Sequence, residues 1–292
     1  MSPIDNPYRN LNGGRWLKGN LHTHTTQSDG VSGPQAVIDD YARRGHGFLM
    51  LSDHDVYTSP AEYAKYDARG LLLIPGNEIS ADGPHLLHVG ATGLVPGHAD
   101  RQQVIDEIVE QGGFVVFNHP NWFADFDHCP QELLERCQGY LGLEIYNGVI
   151  GRLPGSPYAT NRWDMLLTRG RRVWGFAHDD THKPTDAGLG WNVAYVREQT
   201  PAGVLEALAG GRFYGSTGVV ITDIQVTDRR IRVQTENAIR IVALFDGATR
   251  FALGDAAFLE VEAPAGAHYV RFECWGTGEA FAWTQPFFAA PD

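Results

Sequence analysis

The stretch Gly19-Asn20-Leu21-His22-Thr23-His24-Thr25-Thr26-Gln27-Ser28-Asp29-Gly30 decides how this chain is read. An apolar approach followed by His-x-His places two imidazoles on the same side of a strand end, because strand side chains alternate with period two. Asp29 follows in a Ser-Asp-Gly turn. Gly30 gives that turn backbone conformations closed to other residues, so the carboxylate is expected to fold back over the pair. A lone His-x-His is a weak metal signal, since exposed paired histidines are common. The weight comes from what the other strand ends carry.

Working outward, short apolar runs alternate with amphipathic segments up to about residue 215. Gly33-Pro34 opens a helix through Arg44 with Val37, Ile38 and Tyr41 on one face. Strands are predicted at 48–51, 71–74, 86–91, 114–117, 141–146, 172–176 and 192–196, and helices at 101–111, 132–137, 161–169 and 201–209. In the helix 101–111, Val104, Ile105, Ile108 and Val109 are expected to face inward. Strands alternating with helices imply parallel pairing, and this many units suggest a closed or nearly closed α/β barrel, with an open doubly wound sheet as the alternative. After residue 218 the helical period disappears. Short alternating runs broken by Asp-Gly, Pro-Ala-Gly and Gly-Thr-Gly turns predict a small antiparallel β-sandwich with its own core, dividing the chain into 1–218 and 219–292.

The 292 residues suffice for a sizeable core, and 43% hydrophobic with 20% charged residues excludes disordered and fibrous classes. A net charge of -12 argues against double-stranded nucleic acid as a partner, because phosphate backbones are held by clustered Lys and Arg. No segment approaches the roughly 20 apolar residues that cross a bilayer. The N-terminal stretch shows no basic region followed by an apolar run, so a cytoplasmic location is expected. Cys129, Cys137 and Cys274 lie in no Cys-x-x-Cys pattern and are expected as buried reduced thiols.

Chemistry in a parallel barrel sits at the C-terminal strand ends. Here those ends read His22-Thr23-His24, Ser52-Asp53-His54-Asp55, Gly76-Asn77-Glu78, Asn118-His119-Pro120, Glu144-Ile145-Tyr146-Asn147 and Ala177-His178-Asp179-Asp180-Thr181-His182. His85 starts a strand seven residues after Glu78. Imidazole and carboxylate ligands without cysteine suit zinc, manganese or iron, and Glu78 or Asp180 is able to bridge two ions. Asp53, beside His54, is read as orienting a neighbour. His46, His98, His128 and His268 fall in loops or outside the barrel and are expected at the surface. The loop carrying Arg152 reads equally as a connector or an anion contact. Trp122, Trp163, Trp174 and Trp191 are expected as core or pocket wall. Neither a Gly-x-Ser-x-Gly elbow nor a phosphate loop is present.

These motifs, over residues 18–218, resemble the polymerase and histidinol phosphatase (PHP) superfamily, and the β-rich tail resembles that of its carbaryl-hydrolase-like branch. The resemblance implies a distorted (β/α)7 barrel with two or three divalent ions (Mn, Fe or Zn). By the same resemblance His22, His24, Glu78 and Asp180 hold one ion, Glu78, His85 and His119 a second, and Asp29, His54 and His182 a third. His88, three residues past His85, competes with it as a ligand, and Glu144 and His178 lie near the site outside this set. The expected activity is a metal-dependent phosphoesterase acting on a small phosphate ester, with Glu78, His178 and Asp180 as catalytic residues and a hydroxide bridging two ions as nucleophile. Hydrolysis of a carbamate, carboxyl ester or amide on the same ions is the alternative, and a catalytically silent metal-binding module is a third.

Overall fold

The strand that delivers His22 and His24, Arg15–Asn20, runs parallel to Phe48–Leu49, which in turn runs parallel to Leu72–Leu73. Gly19 is needed there by close approach, since a Cβ would lie 2.3 Å from the Phe48 ring. A computed structural model describes residues 4–9 and 11–289 of the chain. On its other edge Arg15–Asn20 pairs antiparallel with Trp191–Val196, which pairs antiparallel with Phe213–Ser216. A second sheet orders Gly76–Ile79, Leu86–Val89, Phe114–Phe117, Gly142–Asn147 and Trp174–His178 side by side.

Only part of the pairing is parallel. Leu86–Val89 is antiparallel to both of its neighbours: the short link from Ile79 to Leu86 makes a hairpin that reverses the chain, and Phe114–Phe117 returns to the direction of Gly76–Ile79. No closed barrel of continuous ladders forms. Among the described residues the two sheets are linked by isolated parallel bridges, Thr23 with Thr181 and His54 with Glu78. The outer edge of Trp174–His178 is completed by side-chain amides instead of a strand. Asn192 Oδ1 accepts from the Ala177 N–H and its Nδ2 donates to the Ala177 carbonyl, and Gln285 does the same for Gly175.

The helices cover the outer faces as the periodicity implies. Pro34–Arg43 buries Val37, Ile38 and Tyr41. Arg101–Glu110 buries Val104, Ile105 and Ile108, whereas Val109, expected inward, is 47% exposed. His46, expected at the surface, is buried, its ring edge-on to Tyr41. None of the helices among the described residues is long and apolar enough to cross a membrane.

Beyond residue 218 a three-stranded antiparallel sheet, Ile221–Thr227, Arg230–Thr235 and Phe258–Glu262, shares an apolar core with Arg240–Phe245 and Tyr269–Trp275. That core is not separate. Tyr8, Val193 and Tyr214 belong to it, and Phe281–Thr284 pairs with Phe213–Ser216, so the tail continues the first sheet. Tyr269, Trp283 and Phe288 pack into the cluster formed by Ile145 and Trp163. A buried ion pair ties the two parts: Arg271 Nη2 lies 2.6 Å from Asp164 on the helix Thr160–Thr168, and the Tyr269 hydroxyl donates to the same carboxylate.

Removing Asp164 leaves Arg271 with Glu273, 2.9 Å from its Nη1, as a carboxylate partner, but strips Nε and Nη2 of their buried acceptor. Asp164→Ala should therefore lower the unfolding free energy by about 2–3 kcal/mol, read by urea denaturation as one shifted transition. A loss under about 1 kcal/mol, or two resolved transitions, would mean that Arg271 does not couple the tail to the rest.

Candidate metal centre

Period-two alternation acts at the end of Arg15–Asn20 as the sequence implies. The Thr23 hydroxyl turns away to the Met50 carbonyl, and His22 and His24 face the other way. The His24 N–H donates to the Thr181 carbonyl and the Asp180 N–H to the His22 carbonyl, which lays the segment carrying Asp180 beside the histidine pair. His119 and Asp180 both have positive φ, 28° and 56°, conformations that non-glycine residues adopt rarely and that recur where side chains must be aimed at a site.

Glu78, fully buried, is the hub. Its Oε2 lies 3.3 Å from His22 Nε2, 3.3 Å from His24 Nε2 and 2.9 Å from His54 Nδ1. Its Oε1 lies 3.0 Å from His85 Nδ1 and 3.5 Å from His119 Nε2. Asp180 Oδ1 closes the first group at 3.2 Å from His22 Nε2 and 3.1 Å from His24 Nε2. Ligand bonds of 2.0–2.2 Å put neighbouring donor atoms roughly 3.0–3.5 Å apart around one ion, which is the spacing seen here. The donors are also unspent: His22 Nε2, His24 Nε2, His54 Nδ1, Glu78 Oε2 and Asp180 Oδ1 are buried and have no hydrogen-bond partner. Buried polar atoms are normally paired, so this convergence of orphans fits divalent cations.

Asp29 lies 3.6 Å from His54 Nε2 and 3.3 Å from His182 Nε2, completing a more exposed group with His24. Gly30 permits this turn by close approach and not by positive φ, since a Cβ would sit 2.5 Å from the His24 carbonyl oxygen. Asp53 stays behind the site, accepting from Thr25 and Ser28 and so fixing the turn that holds Asp29. Asp186 accepts from the backbone N–H of His182 and is itself held by Nε and Nη2 of Arg152. Arg152 thus positions a loop.

Glu144 is the support behind the first group. Its Oε1 lies 2.7 Å from His22 Nδ1 and 2.8 Å from His178 Nδ1, and Oε2 accepts from the His119 N–H. A carboxylate on Nδ1 fixes the ring and leaves Nε2 as the ligand atom. His85 joins the cluster, whereas His88 faces Gly113 on the other side of its strand. Sequence reasoning missed His128. Expected at the surface, it is buried between the rings of His85 and His119 and accepts the His85 N–H on Nε2 at 2.9 Å. No periodicity marks the loop 120–130, and only the aromatic cluster around Trp122 reveals its packing.

The charges depend on one another. Burial alone would raise Glu78 and Asp180, yet the imidazoles around them hold both well below the ordinary carboxylate range. Burial would likewise depress His24, but Asp180 and Glu78 lift it to about 9. His178 is lowered by burial, which outweighs Glu144. Without cations, protons on the histidines do the neutralising.

No family model matches the chain. Over 78 residues it is 40% identical to the 3',5'-nucleoside bisphosphate phosphatase of Chromobacterium violaceum, covering 26% of this chain and 27% of that protein. Over 95 residues it is 30% identical to a 5'-3' exoribonuclease of Salmonella typhimurium, covering 31% and 32%. These matches span about a quarter to a third of the relatives' lengths. A two-domain Bacteroides vulgatus protein containing a predicted PHP-like metal-dependent phosphoesterase aligns over 100% of this chain and 92% of its own, with a TM-score of 0.57 and 18% identity. The chain has the PHP-type fold. Its strand-end histidines and carboxylates gather at one site of that fold.

Two outcomes test this centre. Glu78→Gln should lose at least half of the bound metal in elemental analysis while folded His88→Ala keeps it, because an amide supplies neither the charge nor a second strong oxygen; equal losses would mean the hub is misplaced. Metal titration of the ion-free chain near pH 7.5 should release protons, since His24, protonated up to about 9, must be neutral to ligate. Calorimetry in two buffers of different ionisation enthalpy reads this, and identical heats would contradict it.

Proposed function

We propose that the chain is a metal-dependent phosphoesterase that cleaves small phosphate mono- or diesters, with residues 1–218 bearing the activity and 219–292 as an accessory β-rich part that continues the first sheet. The observation that carries this reading is Glu78, one buried carboxylate within 3.5 Å of five imidazoles, with no Lys or Arg among the residues of that group. His22, His24, Glu78 and Asp180 would hold one ion, Glu78, His85 and His119 a second, and Asp29, His54 and His182 a third, drawn from manganese, iron or zinc. When bound, divalent ions supply Lewis acidity, lowering the pKa of coordinated water and offsetting phosphoryl charge.

The chain's own residues then have defined tasks. Glu78 and Asp180 place the ions relative to one another, and Glu144 fixes His22 and His178 by their Nδ1 atoms. His178 Nε2 is buried and unpartnered, so a proton taken up there turns the ring into a donor for a phosphoryl or leaving oxygen. The relatives named above act, by their names, on a nucleoside bisphosphate and on RNA, which agrees with phosphate ester chemistry. Three buried free thiols agree with a cytoplasmic setting.

A second reading, hydrolysis of a carbamate, ester or amide, is favoured by one feature: Trp122, Val149, Ile150 and Leu153 give the cleft an apolar side. The charge on a phosphate uses several cations, whereas a neutral carbonyl needs fewer, and this places phosphate esters first. Chelation should abolish turnover and manganese, iron or zinc restore it; full turnover in chain shown to be metal-free would end both readings. Under equal metal loading, kcat/KM for p-nitrophenyl phosphate or a phosphodiester should exceed that for 1-naphthyl methylcarbamate. A carbamate advantage of about tenfold, roughly 1.4 kcal/mol of transition-state stabilisation, would replace the first reading by the second.

A further inference from the structure

The cleft over the metal centre has two unlike sides. One is the ligand cluster around Glu78. The other is Trp122 with Val149, Ile150 and Leu153, and among the described residues lining the cleft none is lysine or arginine. The apolar side is fixed to the same frame as the ligands: the Trp122 N–H donates to the His119 carbonyl, and the Val149 N–H to the carbonyl of Asp179, next to Asp180. Val149 and Ile150 are 3% and 2% exposed, so they back this side while Trp122 and Leu153 supply its surface.

The nearest cation by sequence, Arg152, spends Nε and Nη2 on Asp186. Lys183 and Arg43 line a neighbouring recess that shares His182 with the cleft. Within the cleft a second phosphate would therefore meet no lysine or arginine among the described lining residues, where its charge would need one. The cleft holds about 200 Å³. That volume includes the space between the ligand side chains, so it must hold the ions and the phosphoryl group as well as part of the leaving group.

Resting on the phosphoesterase reading, we infer that the substrate is a phosphate ester with a single phosphate whose leaving group is uncharged and apolar, seated against Trp122 and Leu153. Water adds its oxygen to phosphorus, the ester P–O bond breaks, and the departing oxygen leaves as the alcohol after taking one proton. Phosphate and the apolar alcohol are the products.

The test uses three phosphates of primary alcohols, so that intrinsic reactivity is similar: 3-phenylpropyl phosphate, glycerol 1-phosphate and 1,3-propanediol bisphosphate, with p-nitrophenyl phosphate as the activity control, on the full metal-loaded chain. The phenylpropyl ester should exceed both others at least tenfold in kcat/KM. Leu153→Lys, at a half-buried position on the rim, should cut the preference over the bisphosphate at least fivefold. If p-nitrophenyl phosphate is turned over but the bisphosphate or glycerol ester matches the phenylpropyl ester, this inference is overturned and the phosphoesterase reading stands. If the wild-type preference appears but folded Leu153→Lys leaves it unchanged, the apolar side named here is not what selects. If p-nitrophenyl phosphate is not turned over either, the phosphoesterase reading falls and takes this inference with it.

Discussion

The structure depends on burying Glu78, Glu144 and Asp180 together without one lysine or arginine among them. Isolated buried carboxylates are so costly that they either take up protons or acquire positive partners. Here the partners are imidazoles, and imidazoles are uncharged when they ligate a cation. The arrangement is therefore satisfied in two ways, by protons on the histidines or by metal ions among them. Since a histidine raised by its carboxylate neighbours stabilises the fold only while it keeps its proton, the ion-free chain loses that contribution as pH rises toward about 9, the value to which His24 is lifted. Cations remove that dependence, because they bind the deprotonated ring.

The scaffold follows from this requirement. The two sheets do not close on each other through ladders, and the isolated bridges that link them, Thr23 with Thr181 and His54 with Glu78, fall at the site itself. A second tier of carboxylates faces backbone N–H groups instead of the cluster: Asp53 holds the turn of Asp29, Asp55 accepts from Ser80 just beyond Glu78, and Asp186 holds the segment of His182. Each fixes a loop whose side chain must converge on the hub. Orientation by such supports matters about as much to a metal site as the ligands themselves.

What was legible in the sequence divides along physical lines. His-x-His after a strand, Glu78 and the Asp180 to His182 segment could be found because strand alternation and turn chemistry are local. The helix Pro34–Arg43 was legible for the same reason, its apolar face recurring at helical spacing. His128 was not, since its burial arises from Trp122 and the two ligand histidines packing around an aperiodic loop. The antiparallel Leu86–Val89 was hidden because an apolar run carries no mark of its direction. The continuity of the tail with the first sheet was hidden too, for it rests on long-range amides such as Gln285 on Gly175 and on the Arg271–Asp164 pair. These partners lie more than 100 residues apart.

The same constraint accounts for the apolar side of the cleft. A lysine or arginine in contact with Glu78 or Asp180 would pair with the carboxylate in a low-dielectric setting and compete with any divalent ion for it. Keeping such residues away from the cluster preserves the carboxylates for ligation. It also leaves the wall that faces the ligands without a natural cation. Trp122, Val149, Ile150 and Leu153 fill that wall at no electrostatic cost to the site, and Arg152, next to Leu153 in the chain, is paired with Asp186. The unspent carboxylates and the uncharged wall that faces them are thus two consequences of one choice of residues.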